Sequence, residues 1–324
     1  MKNYNQSLQL ISKIMKNFLH IRDIPTKDLK KIISDAKKRK SKRKKLNTLD
    51  PDKDIPLKGK ILLQMFEKSS LRTRLSFYLA IKQLGGGSLT LRPEELHLGI
   101  GGESIEDTSK ILSTYGNAFM LRTDSDNKLN EFKKYSKIPI INGLSPSSHP
   151  TQVLSDIFTI QEIKNKSVSK LKLCWIGDAS NNMMNSLIEA CLKFSISLNI
   201  ACPKEYQPNK ALISLIKKKN GKINIFNKKE LAVKNCDVVM TDKIISLNDK
   251  VNKRKKLKSF KNFKVDFKTM KLAKKDAIFL HCLPRGIEVT DEVFLSKQSK
   301  VWQQALNRVY VQKSILLYCF DKLR

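Results

Sequence analysis

The sequence has no Cys-x-x-Cys pair, no Gly-x-Gly-x-x-Gly fingerprint and no apolar run long enough to cross a membrane. Its six cysteines (Cys174, Cys191, Cys202, Cys236, Cys282 and Cys319) are scattered, several of them inside apolar strand-like runs. That distribution argues against a disulfide framework and for reduced thiols in a cytosol-like compartment. The four histidines (His20, His97, His149 and His281) lack metal-ligand spacing, so no metal and no cofactor are expected. Acidic residues are also scarce, with 30 Asp+Glu against 63 Lys+Arg and a net charge of +33. Such a surplus attracts nucleic acid, anionic membrane surfaces or anionic metabolites. The densest basic run, residues 37–45, has eight basic residues in nine but no aromatic residue to stack on bases. It reads as a solvated helix end and loop, with nucleic acid as the weaker alternative.

What is present is a regular alternation of short apolar runs and helical stripes over 324 residues, enough for two domain cores. A helix is expected from Thr26, its stripe being Leu29, Ile32, Ile33 and Ala36. Strands are expected at 61–66, 88–91, 118–123 and 139–144, then at 171–178, 198–203, 223–226, 236–242 and 277–285. Ser104 with Asp107 fits a capping box. This pattern specifies an α/β protein with two domains, each a parallel sheet flanked by helices. Residues 1–14 read as an extension: 1–22 hold no Asp or Glu and have a mild transit-peptide character, but few arginines. The expected location is cytoplasmic, with the mitochondrial matrix as a minor alternative.

One stretch organises the chain, Phe66-Glu67-Lys68-Ser69-Ser70-Leu71-Arg72-Thr73-Arg74. It falls where the first strand turns into a helix, so backbone N–H groups without helical partners and the positive end of the helix dipole are at hand. Ser70 and Thr73 add neutral donors, and Arg72 and Arg74 add planar forks suited to phosphate oxygens. The alternative is an N-capped helix with surface arginines. Arg122 ends the third strand, and His149-Pro150-Thr151-Gln152 opens a helix after the fourth.

Ser70-x-Arg72-Thr73-Arg74, Arg122 and His149-Pro150-x-Gln152 together resemble the carbamoyl-phosphate site of the aspartate/ornithine carbamoyltransferase superfamily. His281-Cys282-Leu283-Pro284 sharpens the resemblance towards its ornithine carbamoyltransferase branch. It covers the chain from about Met15 to Arg324. It implies a carbamoyl-phosphate-binding domain at 15–148, completed by a C-terminal helix at 303–324, and an ornithine-binding domain at 149–302. It also implies homotrimers, or assemblies of trimers, with sites at subunit interfaces.

The reaction implied is transfer of the carbamoyl group of carbamoyl phosphate to the δ-amine of L-ornithine, giving L-citrulline and phosphate in arginine biosynthesis. By the same resemblance Ser70, the Leu71 N–H, Arg72 and Thr73 hold the phosphate. Arg122, His149 and Gln152 bind the carbamoyl end, Arg308 adds a further cation for carbamoyl phosphate, and His97 stands where a neighbouring subunit commonly offers it Gln. Asn182, Asp242, Ser246 and Leu247 meet the amino-acid end of ornithine, and Cys282 and Leu283 line the pocket of its amine. The catalytic set implied is Arg72, Arg122, His149 and Cys282. Two departures bear on substrate choice: Leu71 stands where the family usually has Thr, and Ser246-Leu247-Asn248 replaces Ser-Met-Gly. The alternatives are therefore a carbamoyltransferase for N-acyl-ornithine or putrescine, or a basic nucleic-acid-binding protein.

Overall fold

The computed structural model describes residues 15–96, 102–245 and 252–323. The chain divides into two compact units. The first comprises the described chain up to Leu19, Lys30–Pro146 and Gln312–Arg324, and the second His20–Leu29 and Ser147–Val311. The division at 311/312 falls inside one helix, Val301–Cys319.

The first unit holds a parallel sheet of four strands, β1 (Ile61–Phe66), β2 (Gly87–Leu91), β3 (Ala118–Arg122) and β4 (Ile140–Leu144), in the order β2-β1-β3-β4. The central strands are continuous apolar runs because both faces of a parallel sheet are covered. Accordingly Leu62, Leu63, Met65, Ala118, Phe119, Met120 and Leu121 are all buried, whereas the edge strand β2 is not. Phe119 packs edge-on against Phe132 of the helix Asp126–Tyr135, ring centroids 5.1 Å apart. The expected cap forms: Ser104 Oγ accepts from the Asp107 N–H at 3.0 Å and opens the helix Ile105–Tyr115.

The basic run departs from expectation. The helix Thr26–Lys42 does begin at Thr26, and Lys37, Lys38, Lys42, Lys44 and Lys45 are exposed. Arg39 and Arg43 instead turn inward. Asp52 accepts from Arg39 Nη1 and Arg43 Nη1, each at 2.8 Å, and from the fully buried Lys313 Nζ at 2.7 Å. Arg39 also pairs with Asp35 and Asp54, each at 3.0 Å. Guanidinium forks with fixed donors let Arg39 and Arg43 share these acids, while the lysines around them in the run stay in solvent.

The second unit holds β5 (Lys172–Ile176), β6 (Ser197–Ala201), β7 (Ile223–Phe226), β8 (Val238–Thr241) and β9 (Ile278–His281), all parallel, in the order β7-β6-β5-β8-β9. In both sheets the chain crosses to the far side of its first strand, which opens a crevice at the carboxyl ends of β1/β3 and of β5/β8. Gly177, just after β5, sits at φ +142, where a Cβ would lie 3.2 Å from Thr241 Oγ1. Glycine there lets the ends of β5 and β8 close up. The nine strands among the described residues all fall on the apolar runs read from the sequence.

Candidate active site

On the first unit, Phe66 and Arg122 are register partners, so the end of β1 and the end of β3 lie side by side. Glu67, the next residue, ties the two loops together. It accepts from Thr123 Oγ1 at 2.6 Å and from the Asp124 N–H at 3.2 Å, and it forms a close ion pair with Lys128.

Beyond this tie the helix Leu71–Gln83 starts, with Ser70 at its N-cap position. Ser70 does not cap: its side chain makes no bond to the helix, and its Oγ instead accepts from Arg122 Nη1 at 3.0 Å. No acidic residue of the helix itself occupies its first turn to offset the dipole. Arg72 is half-buried and Thr73 buried, while Leu71 points out, 69% exposed. A helix start that keeps its cap hydroxyl on an arginine, with a second arginine in the first turn, has donors of the kind an anion takes. The capped-helix alternative does not hold.

On the second unit, His149 is the N-cap residue of the helix Pro150–Lys164 and makes no side-chain cap either. Its backbone N–H donates to Ser186 Oγ at 2.9 Å, which fixes the turn against the helix Asn182–Phe194. Gln152, one turn in, is buried; its carbonyl accepts from Arg308 Nη1 and its amide donates to Asp156 at 2.8 Å. Asn182 opens its helix, where the cap is Asn181, accepting from the Met184 N–H at 2.9 Å.

Asp242 and Cys282 follow β8 and β9, neighbours in the sheet with Thr241 opposite His281. The Cys282 thiol donates to Asp242 Oδ1 at 2.9 Å, and the Lys243 N–H donates to the same oxygen at 2.6 Å. Burial pushes the Asp242 carboxyl above its ordinary value, against the pull of these hydrogen bonds. Such a carboxylate is under-compensated and favours an incoming ammonium group. Leu283 holds φ +61 and is followed by a cis peptide bond to Pro284.

His281 has both ring nitrogens committed. Nδ1 accepts from the Leu283 N–H at 2.8 Å, so the proton sits on Nε2 and is donated to Glu288 Oε1 at 2.9 Å. Asp242, His281 and Cys282 offer ligand atoms within 4.8 Å of one another. With the imidazole engaged on both sides, the group reads as a hydrogen-bonded receptor for a cation-bearing molecule rather than a metal centre.

Three residues singled out in the sequence, His97, Ser246 and Leu247, lie outside the described residues. Conversely, Glu67, Asp156, Glu288 and Gln304 had not been singled out. Asp156 carries one sequence signal, its i+4 spacing from Gln152 on a helix. Gln304 carries none.

Cations on one parallel α/β unit, and a carboxylate with a thiol on the other, are the division of labour of a transferase taking an anionic donor and an amine acceptor. Residues 16–162 match the family model described as aspartate/ornithine carbamoyltransferase, carbamoyl-P binding domain, and residues 169–319 match its Asp/Orn binding domain. The chain belongs to the aspartate/ornithine carbamoyltransferase family. It is 41% identical over 308 residues to the ornithine carbamoyltransferase of Staphylothermus marinus, covering 93% of this chain and 96% of that one. Its structure is similar to the ornithine carbamoyltransferase from Pyrococcus furiosus, with TM-score 0.86, 36% identity and coverage of 94% and 96%. A second similar structure is the anabolic ornithine carbamoyltransferase from Campylobacter jejuni, with TM-score 0.85, 36% identity and coverage of 95% and 100%.

Proposed function

We infer that this chain is an ornithine carbamoyltransferase, catalysing carbamoyl phosphate + L-ornithine → L-citrulline + phosphate. The observation that carries the choice of acceptor is the Asp242–Cys282 pair at the ends of β8 and β9, a half-buried carboxylate suited to an α-ammonium group. An N-acylated ornithine offers no charged α-nitrogen to it; putrescine keeps that ammonium group but lacks the α-carboxylate.

The neutral δ-amine attacks the carbamoyl carbon, a C–N bond forms, the C–O bond to phosphate breaks, and a proton leaves the nitrogen. Negative charge develops on the carbonyl oxygen and on the departing phosphate, so cations and N–H donors are what the reaction requires. Ser70, the Leu71 N–H, Arg72 and Thr73 take the phosphate. Arg122, His149, Gln152 and Arg308 take the carbamoyl group, Arg122 and Thr73 facing the oxyanion. Asn182, Asp242, Ser246 and Leu247 take the amino-acid end of ornithine, and Cys282 and Leu283 flank its amine. Losing one preorganised oxyanion donor costs roughly 10²–10³ in rate. Holding both substrates in attack geometry supplies about 7–11 kcal/mol of the barrier reduction. A role in arginine biosynthesis, a cytoplasmic location and a trimeric assembly belong to the same proposal.

The test is citrulline formation by purified protein from ornithine, N-acetyl-ornithine and putrescine in parallel. Ornithine is expected to be preferred, and Arg72→Ala to lose roughly 10²-fold or more in kcat/KM for carbamoyl phosphate. Equal rates with the acetylated substrate, or normal turnover by the variant, would refute the assignment.

A further inference from the structure

Asp156 lies one turn beyond Gln152 on the helix Pro150–Lys164 and is completely buried. One carboxylate oxygen, Oδ1, accepts from Gln152 Nε2 and from Gln304 Nε2, each at 2.8 Å. The other, Oδ2, has no hydrogen-bond partner among the described residues. Each glutamine passes the connection on. The Gln152 carbonyl accepts from Arg308 Nη1, and the Gln304 carbonyl accepts from the His281 N–H at 3.0 Å. A continuous line therefore runs Arg308–Gln152–Asp156–Gln304–His281, ending one residue before Cys282. Every member is buried.

The two ends of a glutamine amide have nearly the same shape and opposite chemistry, so the surroundings decide which way it points. An ionised carboxylate only accepts. Asp156 therefore turns both NH2 groups towards itself and both carbonyls outward, one to the arginine and one to the end of β9. Resting on the carbamoyl-transfer reading above, we propose that Asp156 is a positioning residue of the reaction, orienting Gln152 on the carbamoyl side and, through Gln304, seating the strand end that carries Cys282 on the amine side.

The charge of this residue is adjustable. Burial pushes the Asp156 carboxyl up to about 7, against the pull of Gln304, Gln152 and Arg308 and with a further push from Asp242. Protonation at Oδ2 leaves both bonds to Oδ1 in place but weakens them, because a charge-assisted hydrogen bond is stronger than a neutral one. Asp156→Asn reproduces that neutral form: its carbonyl can accept both amides, with its NH2 where Oδ2 now lies. Asp156→Ala removes the acceptor altogether.

The experiment compares wild type, Asp156→Ala, Asp156→Asn and Gln304→Leu in steady-state citrulline formation from pH 6 to 9, with thermal melting of each. Asp156→Ala is expected to lose about 10²-fold in kcat, the scale set by misplacing a substrate-binding group by an ångström. Asp156→Asn should recover most of that loss near pH 6, and its rate relative to wild type should fall as pH rises through about 7. Gln304→Leu leaves the Asp156–Gln152 bond intact, so it should raise KM for ornithine roughly tenfold while KM for carbamoyl phosphate stays unchanged. That split separates positioning from a general loss of packing, and it stands even if the alanine variant fails to fold. Absence of citrulline from the wild type would overturn the functional reading and this proposal with it. An active wild type with Asp156→Ala within threefold of it in kcat and both KM values would overturn the proposal alone. Asparagine performing no better than alanine would do the same.

Discussion

Replacing Asp52 by Asn tests whether the inward-turned arginines and Lys313 form one electrostatic unit. Asp52 accepts from three cations, and Lys313 is fully buried, with Gln83 Oε1 at 3.1 Å as a further acceptor. Removing one partner of a buried pair costs about 3–5 kcal/mol, because the remaining charge stays buried without compensation. That is a factor of roughly 10²–10⁴ in the folded population, and a fall of about 10 °C in the melting temperature at the scale of a domain this size. Lys313→Met should cost less. Burial is the largest influence on that amine, pushing it down to about 8, and its loss leaves Asp52 with Arg39 and Arg43. The double variant should then sit near Lys313→Met, far from the sum of the two, as expected for coupled neighbours. Urea unfolding followed by circular dichroism measures all three. The acid limb adds a signed check. Burial raises the Asp52 carboxyl, but Lys313, Arg43 and Arg39 bring it net below its ordinary value. Its contribution is therefore present above the ordinary carboxylate range and is lost as pH falls through the lowered value. Asp52→Asn should flatten that limb. An Asp52→Asn protein melting within roughly 2 °C of wild type would refute the reasoning.

Leu71→Thr restores a hydroxyl where the side chain is 69% exposed at the first helical position. It should lower KM for carbamoyl phosphate several-fold and change stability by no more than about 0.5 kcal/mol, measurable by initial rates and melting. Asp242→Asn should raise KM for ornithine roughly 10²-fold through loss of a charged hydrogen bond, with carbamoyl-phosphate KM unaffected. In the wild type, ornithine affinity should fall as pH drops through the raised Asp242 value, because protonation removes the charge that meets the ammonium group.

The sheets were legible because a parallel strand buried on both faces leaves an unbroken apolar run, as in Ile61–Phe66 and Ala118–Arg122. Ser70, Arg72, Arg122, His149 and Gln152 were legible because they stand where strands end and helices begin. The partners that hold them were not. Gln304 meets Asp156 across 148 residues and Lys313 meets Asp52 across 261, and no local period links such pairs. Arg39 and Arg43 looked like members of a solvated basic run, because sequence spacing does not show which acids fold back onto them. Asp156 sat in plain view on an apolar helix stripe, but its two-sided role depends on a glutamine from the C-terminal helix.

The unused cap at Ser70 has an evolutionary consequence. A hydroxyl that satisfied its own helix would add about 1 kcal/mol of stability, and the protein forgoes it. Substitutions that perfect this helix terminus, such as an aspartate in its first turn, would make a sturdier molecule with a poorer anion site. Selection for thermal robustness and selection for turnover therefore pull in opposite directions at Ser70–Arg72. Stabilised variants recovered from random libraries should leave these three positions alone or lose activity.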